Sequence, residues 1–230
     1  AFLMSAGEEL PKQIFAHGWW LVEGHKISKS LGNVIDPFVA VEKIGVDPFR
    51  YILFRETPFG EDGNLTRESV LNRVNGELVN EIGNLYSRVT AMANKYTEGW
   101  VERNGNTPFA EEYIQLTEEV LKNYLRLMEN YKFHKALEEA LKLAEFLNRY
   151  IDRTKPWELN REGKTETLKG VLYLLADGLR ILTHLLAPFM PASMERALKM
   201  LGLEDFENLG GLKPLSLNSP HRVGQKENLF

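Results

Sequence analysis

At 230 residues and a net charge of −4, the chain is long enough for one large domain or two small ones around a sizeable core. It has no cysteine, which excludes disulfides and cysteine-ligated zinc and makes a reducing cytoplasm the default compartment. The acidic balance excludes a protein coated in positive charge for indiscriminate nucleic-acid binding, and no apolar run approaches the ~18 residues that span a membrane.

Residues 1–24 read as a short helix end, a turn from Gly7 to Pro11, and the extended stretch "QIFAHGWWLVEG". Its aromatic and β-branched residues favour a strand, with His17, Trp19 and Trp20 expected to pack it against the core. The string "HKISKSLGN" follows at 25–33. Next, "DPFVAVEKIG" and "DPFRYILFRE" each place Asp-Pro at a helix start, so that Asp36 and Asp47 are expected N-caps, and Gly45 should stop the first helix. Residues 58–64, "PFGEDGN", are turn chemistry and mark a boundary.

Beyond about Leu65 the pattern changes. Leu71, Val74, Leu78, Ile82, Leu85, Val89, Met92 and Tyr96 recur three or four apart, as do Phe133, Leu137, Ala140, Ala144, Leu147 and Ile151. Further helices are expected from about Glu111 to Tyr131, Thr165 to Leu186 and Pro191 to Leu201. This spacing predicts a mainly α protein whose second region, 65–209, is an antiparallel helix bundle. Residues 210–230 are Gly- and Pro-rich and read as a tail, a linker or an extended return. Both ends look abrupt, as if cut from a longer chain.

The lysines, serines and glycine of "HKISKSLGN" can neutralise and hydrogen-bond a polyphosphate. No Walker loop is present, because G-x-x-x-x-G-K-[ST] is absent. On charge alone, a solvated basic turn is the plainer reading.

The longer string decides otherwise. "HKISKSLGNVIDP" resembles the KMSKS signature of class I aminoacyl-tRNA synthetases, with Ile27 in place of the usual Met. The flanking "HGWWLVEG" and the Asp-Pro-Phe-Arg-Tyr at 47–51 match the same family. The resemblance implies that Lys26, Ile27, Ser28, Lys29 and Ser30 form a loop that closes over ATP, which Mg2+ would accompany. Lys29 would stabilise the leaving pyrophosphate as the aminoacyl-adenylate forms, and "HGWW" would lie near the adenosine. Residues 1–64 would then be the end of a Rossmann-type catalytic domain with its stem-contact region. The HIGH-type motif of that family is absent, since none of histidines 17, 25, 134, 184 and 221 lies in an H-x-G-H context. The chain by itself is therefore expected to form no adenylate.

The loop does not separate methionyl, isoleucyl, valyl and leucyl enzymes; the bundle does. "VNEIGNLYSRVTAMANKY" and "LNRYIDRTKPW" resemble the methionyl enzymes. There the residues matching Asn84 and Arg88 hydrogen-bond anticodon bases, and the residue matching Trp157 stacks under the cytosine of CAU. The partners implied are tRNA(Met), methionine and ATP, with the amino-acid pocket outside this chain and no membrane. Unstacked loop bases are recognised by edge hydrogen bonds and aromatic stacking, so these residue types suit the task. Pro156 would fix the chain just before the indole. Two alternatives stand beside this reading: a Leu/Ile/Val-type synthetase, and a non-catalytic tRNA-binding module. Lone His134 and His184 read as structural, no cluster has metal-ligand spacing, and Arg149, Arg153 and Lys155 form either a basic rim for tRNA phosphates or a plain solvated face.

Overall fold

The structure, a computed structural model, describes residues 2–27, 35–104 and 107–230. After helix α1 (Phe2–Ser5) the chain runs largely without regular structure to strand β1 (Trp20–Val22), so only the end of the expected extended stretch is a paired strand. Strand β2 (His25–Lys26) folds back antiparallel on β1, and β3 (Gly63–Leu65) adds in parallel on the other side. The hairpin turns at Glu23 and Gly24, which adopt φ of 50° and 78°, a region that Gly tolerates and most residues avoid.

Helix α2 (Pro37–Ile44) starts as Asp-Pro predicts: the Asp36 carboxylate accepts the Phe38 N–H at 2.9 Å. Helix α3 (Val46–Glu56) corrects the second expectation. Gly45 ends α2 and α3 has already begun at Val46, so Asp47 lies inside the helix rather than at its cap. Its buried carboxylate instead accepts the backbone N–H of Ser193 at 2.5 Å, in the first turn of α10 (Pro191–Met200). Arg50 reaches the same corner, donating to the carbonyls of Phe189 at 3.0 Å and Pro188 at 3.1 Å. One short helix therefore serves the orphan groups of a corner far along the chain.

Helix α4 (Arg67–Leu71) opens with a reciprocal Thr66–Ser69 capping box and runs without a break through a wider-turned segment (Asn72–Gly83) into α5 (Asn84–Thr97). At the end of the wide segment the Asn84 N–H donates to Val79 O, five residues back rather than four. Leu71, expected on the apolar stripe, is 48% exposed, whereas Leu78, Ile82, Leu85 and Val89 are buried. Helices α6 (Ala110–Glu129) and α7 (Phe133–Thr154) follow as an antiparallel pair, then short α8 (Pro156–Arg161) and α9 (Thr165–Leu186).

Helix α9 is the centre: from Gly170 to Leu186 every residue is buried, with α5, α7, α8 and α10 packed around it. At Gly178 the α7 side chain of Leu147 comes so close that a Cβ would lie 2.5 Å from it. The charged pair on α9 is sealed in. Asp177 accepts from Arg180 at 2.9 Å, from the Tyr113 hydroxyl at 2.7 Å, and from the Leu215 and Leu217 N–H groups at 2.6 and 3.0 Å. Arg180 also donates to Glu207, to the Lys213 carbonyl and to Ser216. Burial and the Asp177 charge push the Tyr113 hydroxyl well above its ordinary value, so it stays protonated and donates.

That network holds the end of the chain. Residues 210–230 are an extended return: Leu212, Leu217, Val223 and Leu229 are buried, and strand β5 (His221–Arg222) pairs antiparallel with β4 (Trp100–Val101). His184 assists as a structural residue. Its Nδ1 meets the Arg180 carbonyl at 2.7 Å and its Nε2 accepts the Glu207 N–H at 2.8 Å, so the ring is neutral, and burial lowers its pKa accordingly.

Candidate functional site

Two places collect the residues singled out in the sequence. The first is the β1–β2 hairpin. Lys26 ends β2 and Ile27 follows, 41% exposed; Ser28, Lys29 and Ser30 lie outside the described residues. The hairpin is fastened from below. The Gly24 N–H donates to the Asn64 side chain at 2.8 Å, and the Glu23 carboxylate accepts the Arg67 N–H at 2.9 Å, at the first position of α4. The turn that leads into Lys26 is thus tied to the start of the long α4–α5 helix.

Two aromatic residues here depart from expectation. His17 and Trp19 do not pack into the core; both are exposed, Trp19 by 75%. The Trp19 N–H is held by Asp62 at 2.7 Å, just outside the paired part of β1, which leaves its indole on the solvent side. Trp20 instead covers Gly63, where a Cβ would stand 2.5 Å from the ring. Trp19, Trp20, Lys26 and Ile27 together line a hollow of about 440 Å3, which gathers two aromatic side chains, a lysine and an isoleucine.

The second place is the pole of the bundle where α5 meets the end of α7. Asn84 is exposed at the first position of α5, and Arg88 lies one turn on. The Arg88 guanidinium donates to Asp152 on α7 at 3.1 Å, with its side chain still 41% exposed. One turn earlier on α7, Asn148 donates to the Glu81 carbonyl at 3.2 Å. Helix α7 stops at Thr154, Lys155 takes a left-handed φ of 45°, and Pro156 opens α8. Trp157 is the second residue of α8 and is 42% exposed, whereas its neighbour Pro156 is buried. The indole is offered on a fixed backbone rather than packed as a core residue.

Of the basic residues nearby, Arg149 pairs with Glu145 at 2.6 Å and Lys155 with Glu158 at 3.3 Å. Arg153 is a strut: Glu112 takes its guanidinium at 2.9 and 2.8 Å, and the cation sits 3.8 Å over the Phe109 ring. Its charge is thus partly neutralised within the bundle, which weakens the case for a phosphate rim at that position. Sequence reading passed over Asn148 and Asp152. The available signal was their spacing of one turn, which puts two polar residues on one face of α7; the structure turns that face to Glu81 and Arg88.

Known proteins match two stretches of the chain, with Asn84 and Arg88 in the first and Trp157 in the second. Residues 1–90 match the family described as tRNA synthetases class I (M), and residues 111–220 match the anticodon-binding domain of tRNA ligase. The methionine–tRNA ligase of Bacillus subtilis is 43% identical over 206 residues, covering 88% of this chain and 31% of that protein. That of Caldanaerobacter subterraneus is 41% identical over 233 residues, covering 100% of this chain and 36% of that protein.

The chain belongs to the methionyl-tRNA synthetase family.

Its fold agrees. The solved methionyl-tRNA synthetase of Mycobacterium tuberculosis in complex with methionyl-adenylate superposes with a TM-score of 0.88 at 33% identity, covering 100% of this chain and 46% of that one. The chain thus spans about a third of the length of these curated relatives and a little under half of that solved chain. The Leu/Ile/Val alternative gains no support from these relatives, which are methionine enzymes. Among the described residues there is no group of side chains suited to hold a metal ion, and no helix is long and apolar enough to cross a membrane.

Proposed function

We propose that this chain works as part of a methionine–tRNA ligase, contributing the ATP-phosphate loop and the reading of the tRNA(Met) anticodon. Residues 1–64 are the end of the catalytic region and 65–209 the anticodon-binding bundle. The observation that carries the reading is the pole just described. An exposed indole on a fixed backbone stands beyond the end of α7, and α7 is joined by Asp152 to the helix that carries Asn84 and Arg88. Stacking on Trp157 supplies affinity for any base, while hydrogen bonds from Asn84 and Arg88 choose among bases.

At the other end, Lys26 and Lys29 meet the phosphates of ATP with its Mg2+. Lys29 stabilises the charge that develops on departing pyrophosphate as the methionine carboxylate attacks the α-phosphorus of ATP to form methionyl-adenylate; the methionyl group then passes to the 3′ end of the tRNA and AMP leaves. Support comes from the loop sequence, from relatives named methionine–tRNA ligase, and from a neighbour of like fold solved with methionyl-adenylate. The test is binding of RNA hairpins with CAU, GAU and GAC loops on one stem. Preference for CAU is expected; equal binding of all three would overturn the anticodon reading.

A further inference from the structure

Helix α7 and the α4–α5 helix touch at two polar points near the proposed anticodon pole. Arg88 meets Asp152, and Asn148 meets the carbonyl of Glu81. Asn148 and Asp152 are one turn apart on α7, while Glu81 and Arg88 lie about two turns apart on the facing helix and bracket Asn84. Asn148 is half-buried, and its amide nitrogen donates to two carbonyls, Glu81 O on the neighbouring helix and Ala144 O on its own, each at 3.2 Å. Because both partners are acceptors, the orientation of the amide is unambiguous. Its N–H groups face the protein, so they are not offered to a base.

We propose that Asn148 is a positioning residue for anticodon reading, setting the register of α7 against the α4–α5 helix so that Asn84 and Trp157 face the same loop. The proposal rests on the anticodon reading above. The Arg88–Asp152 pair is exposed on both sides, and such pairs hold geometry weakly. The Asn148 contact is shielded and reaches backbone, which fixes where a helix sits rather than where a long side chain points.

It also falls where a fixed register is most needed. Glu81 lies in the wide-turned segment just before Asn84, and the pattern reverts to ordinary turns at Asn84 itself. A helix changing pitch there can present Asn84 over a range of rotations about its axis, and a bond from a second helix at Glu81 selects one of them. Trp157 lies beyond the end of α7, so a shift of α7 along the α4–α5 helix would carry the indole with it.

The test measures a ratio. Asn148→Asp keeps the shape but removes the donor, and Asn148→Ala removes both. Each is assayed with the CAU hairpin and with the same hairpin carrying GAU, with thermal midpoints alongside. Loss of one positioning hydrogen bond should reduce the CAU preference by up to about tenfold. A merely structural role would lower the midpoint and leave the ratio unchanged, because the ratio is read on folded protein only. An unchanged ratio in both variants overturns the proposal. Trp157→Ala, run in parallel, separates the two levels. If it weakens CAU binding while the Asn148 variants keep the ratio, the positioning role alone fails; if it leaves CAU binding intact, the anticodon reading fails and the positioning role with it.

Discussion

The residues before α4 and the bundle after it are ordered by different forces. In the first region large apolar side chains face outward: Phe38 is 86% exposed, and Phe2, Ile14 and Trp19 are similarly uncovered. Helix α2 has no buried residue at all, while α9 buries an unbroken run from Gly170 to Leu186. Order in the first region comes from turns, caps and single hydrogen bonds such as Trp19 to Asp62 and Glu23 to Arg67. Order in the second comes from apolar packing, which stabilises far more strongly than scattered exposed hydrogen bonds. The two meet in a charged cluster: Glu77 accepts from Tyr51 at 2.6 Å and Arg55 at 3.3 Å, and also pairs with Arg73. Burial, with the nearby Glu77 charge, raises the Tyr51 hydroxyl far above its usual range, which keeps it a donor at this junction. A substitution in the first region should therefore show in chemistry, and one in the bundle interior should show in folding.

The strongest challenge to that division is Asp177→Ala. It removes the acceptor of four donors and takes the buried carboxylate partner from Arg180, which keeps Glu207; breaking a buried pair costs ~3–5 kcal/mol. Urea unfolding should show a loss of that size; a loss below ~1 kcal/mol would mean that the sealed network does not hold residues 207–217. Next is Lys29→Ala in a full-length methionyl enzyme carrying this segment. Loss of one group that stabilises charge in the transition state lowers rates about 10²–10³-fold. Pyrophosphate exchange should fall by that factor with the thermal midpoint and tRNA affinity unchanged, and normal exchange would remove Lys29 from the mechanism. The smallest effect tests the exception. Trp157 belongs to the bundle by sequence yet is exposed, so Trp157→Ala should behave like a first-region change. RNA binding should weaken by ~1–3 kcal/mol while the melting temperature barely moves. Early melting with normal RNA binding would make it a packing residue after all.

The same division governs what could be read from the sequence. Helices with a long apolar stripe were legible: α9 was expected from about Thr165 to Leu186 and runs over that range. The Asp36 cap was legible because its bond is local. Asp47 carries the same dipeptide signal, but its partner Ser193 is 146 residues away, and no local pattern encodes that. An extended return of residues 210–230 was one of three readings that the sequence left open, since Asp177 holds it through two backbone N–H groups rather than through a periodic apolar face. The widened helix before Asn84 escaped because a spacing of three or four serves both pitches. At the candidate site, Asn84, Arg88 and Trp157 were named from resemblance; the structure adds that Asn84 and Trp157 are exposed, Arg88 partly so, and that Arg88 meets Asp152 near the end of α7. The contact between Asn148 and Glu81 joins a side chain to a backbone carbonyl, which no residue type at position 81 would betray.

The grip of α3 on the α9–α10 corner bears on how the protein is made. Asp47 and Arg50 leave the ribosome well over a hundred residues before the groups they bind, the Ser193 N–H and the carbonyls of Pro188 and Phe189. At ~5–20 residues per second that interval lasts several seconds or more, long compared with the time a helix takes to form. Throughout it a carboxylate and a guanidinium destined for fixed partners remain in water. The grip of α3 on this corner therefore closes late in synthesis, and a ribosome that stalls before residue 188 leaves the nascent chain with α3 unable to complete those contacts.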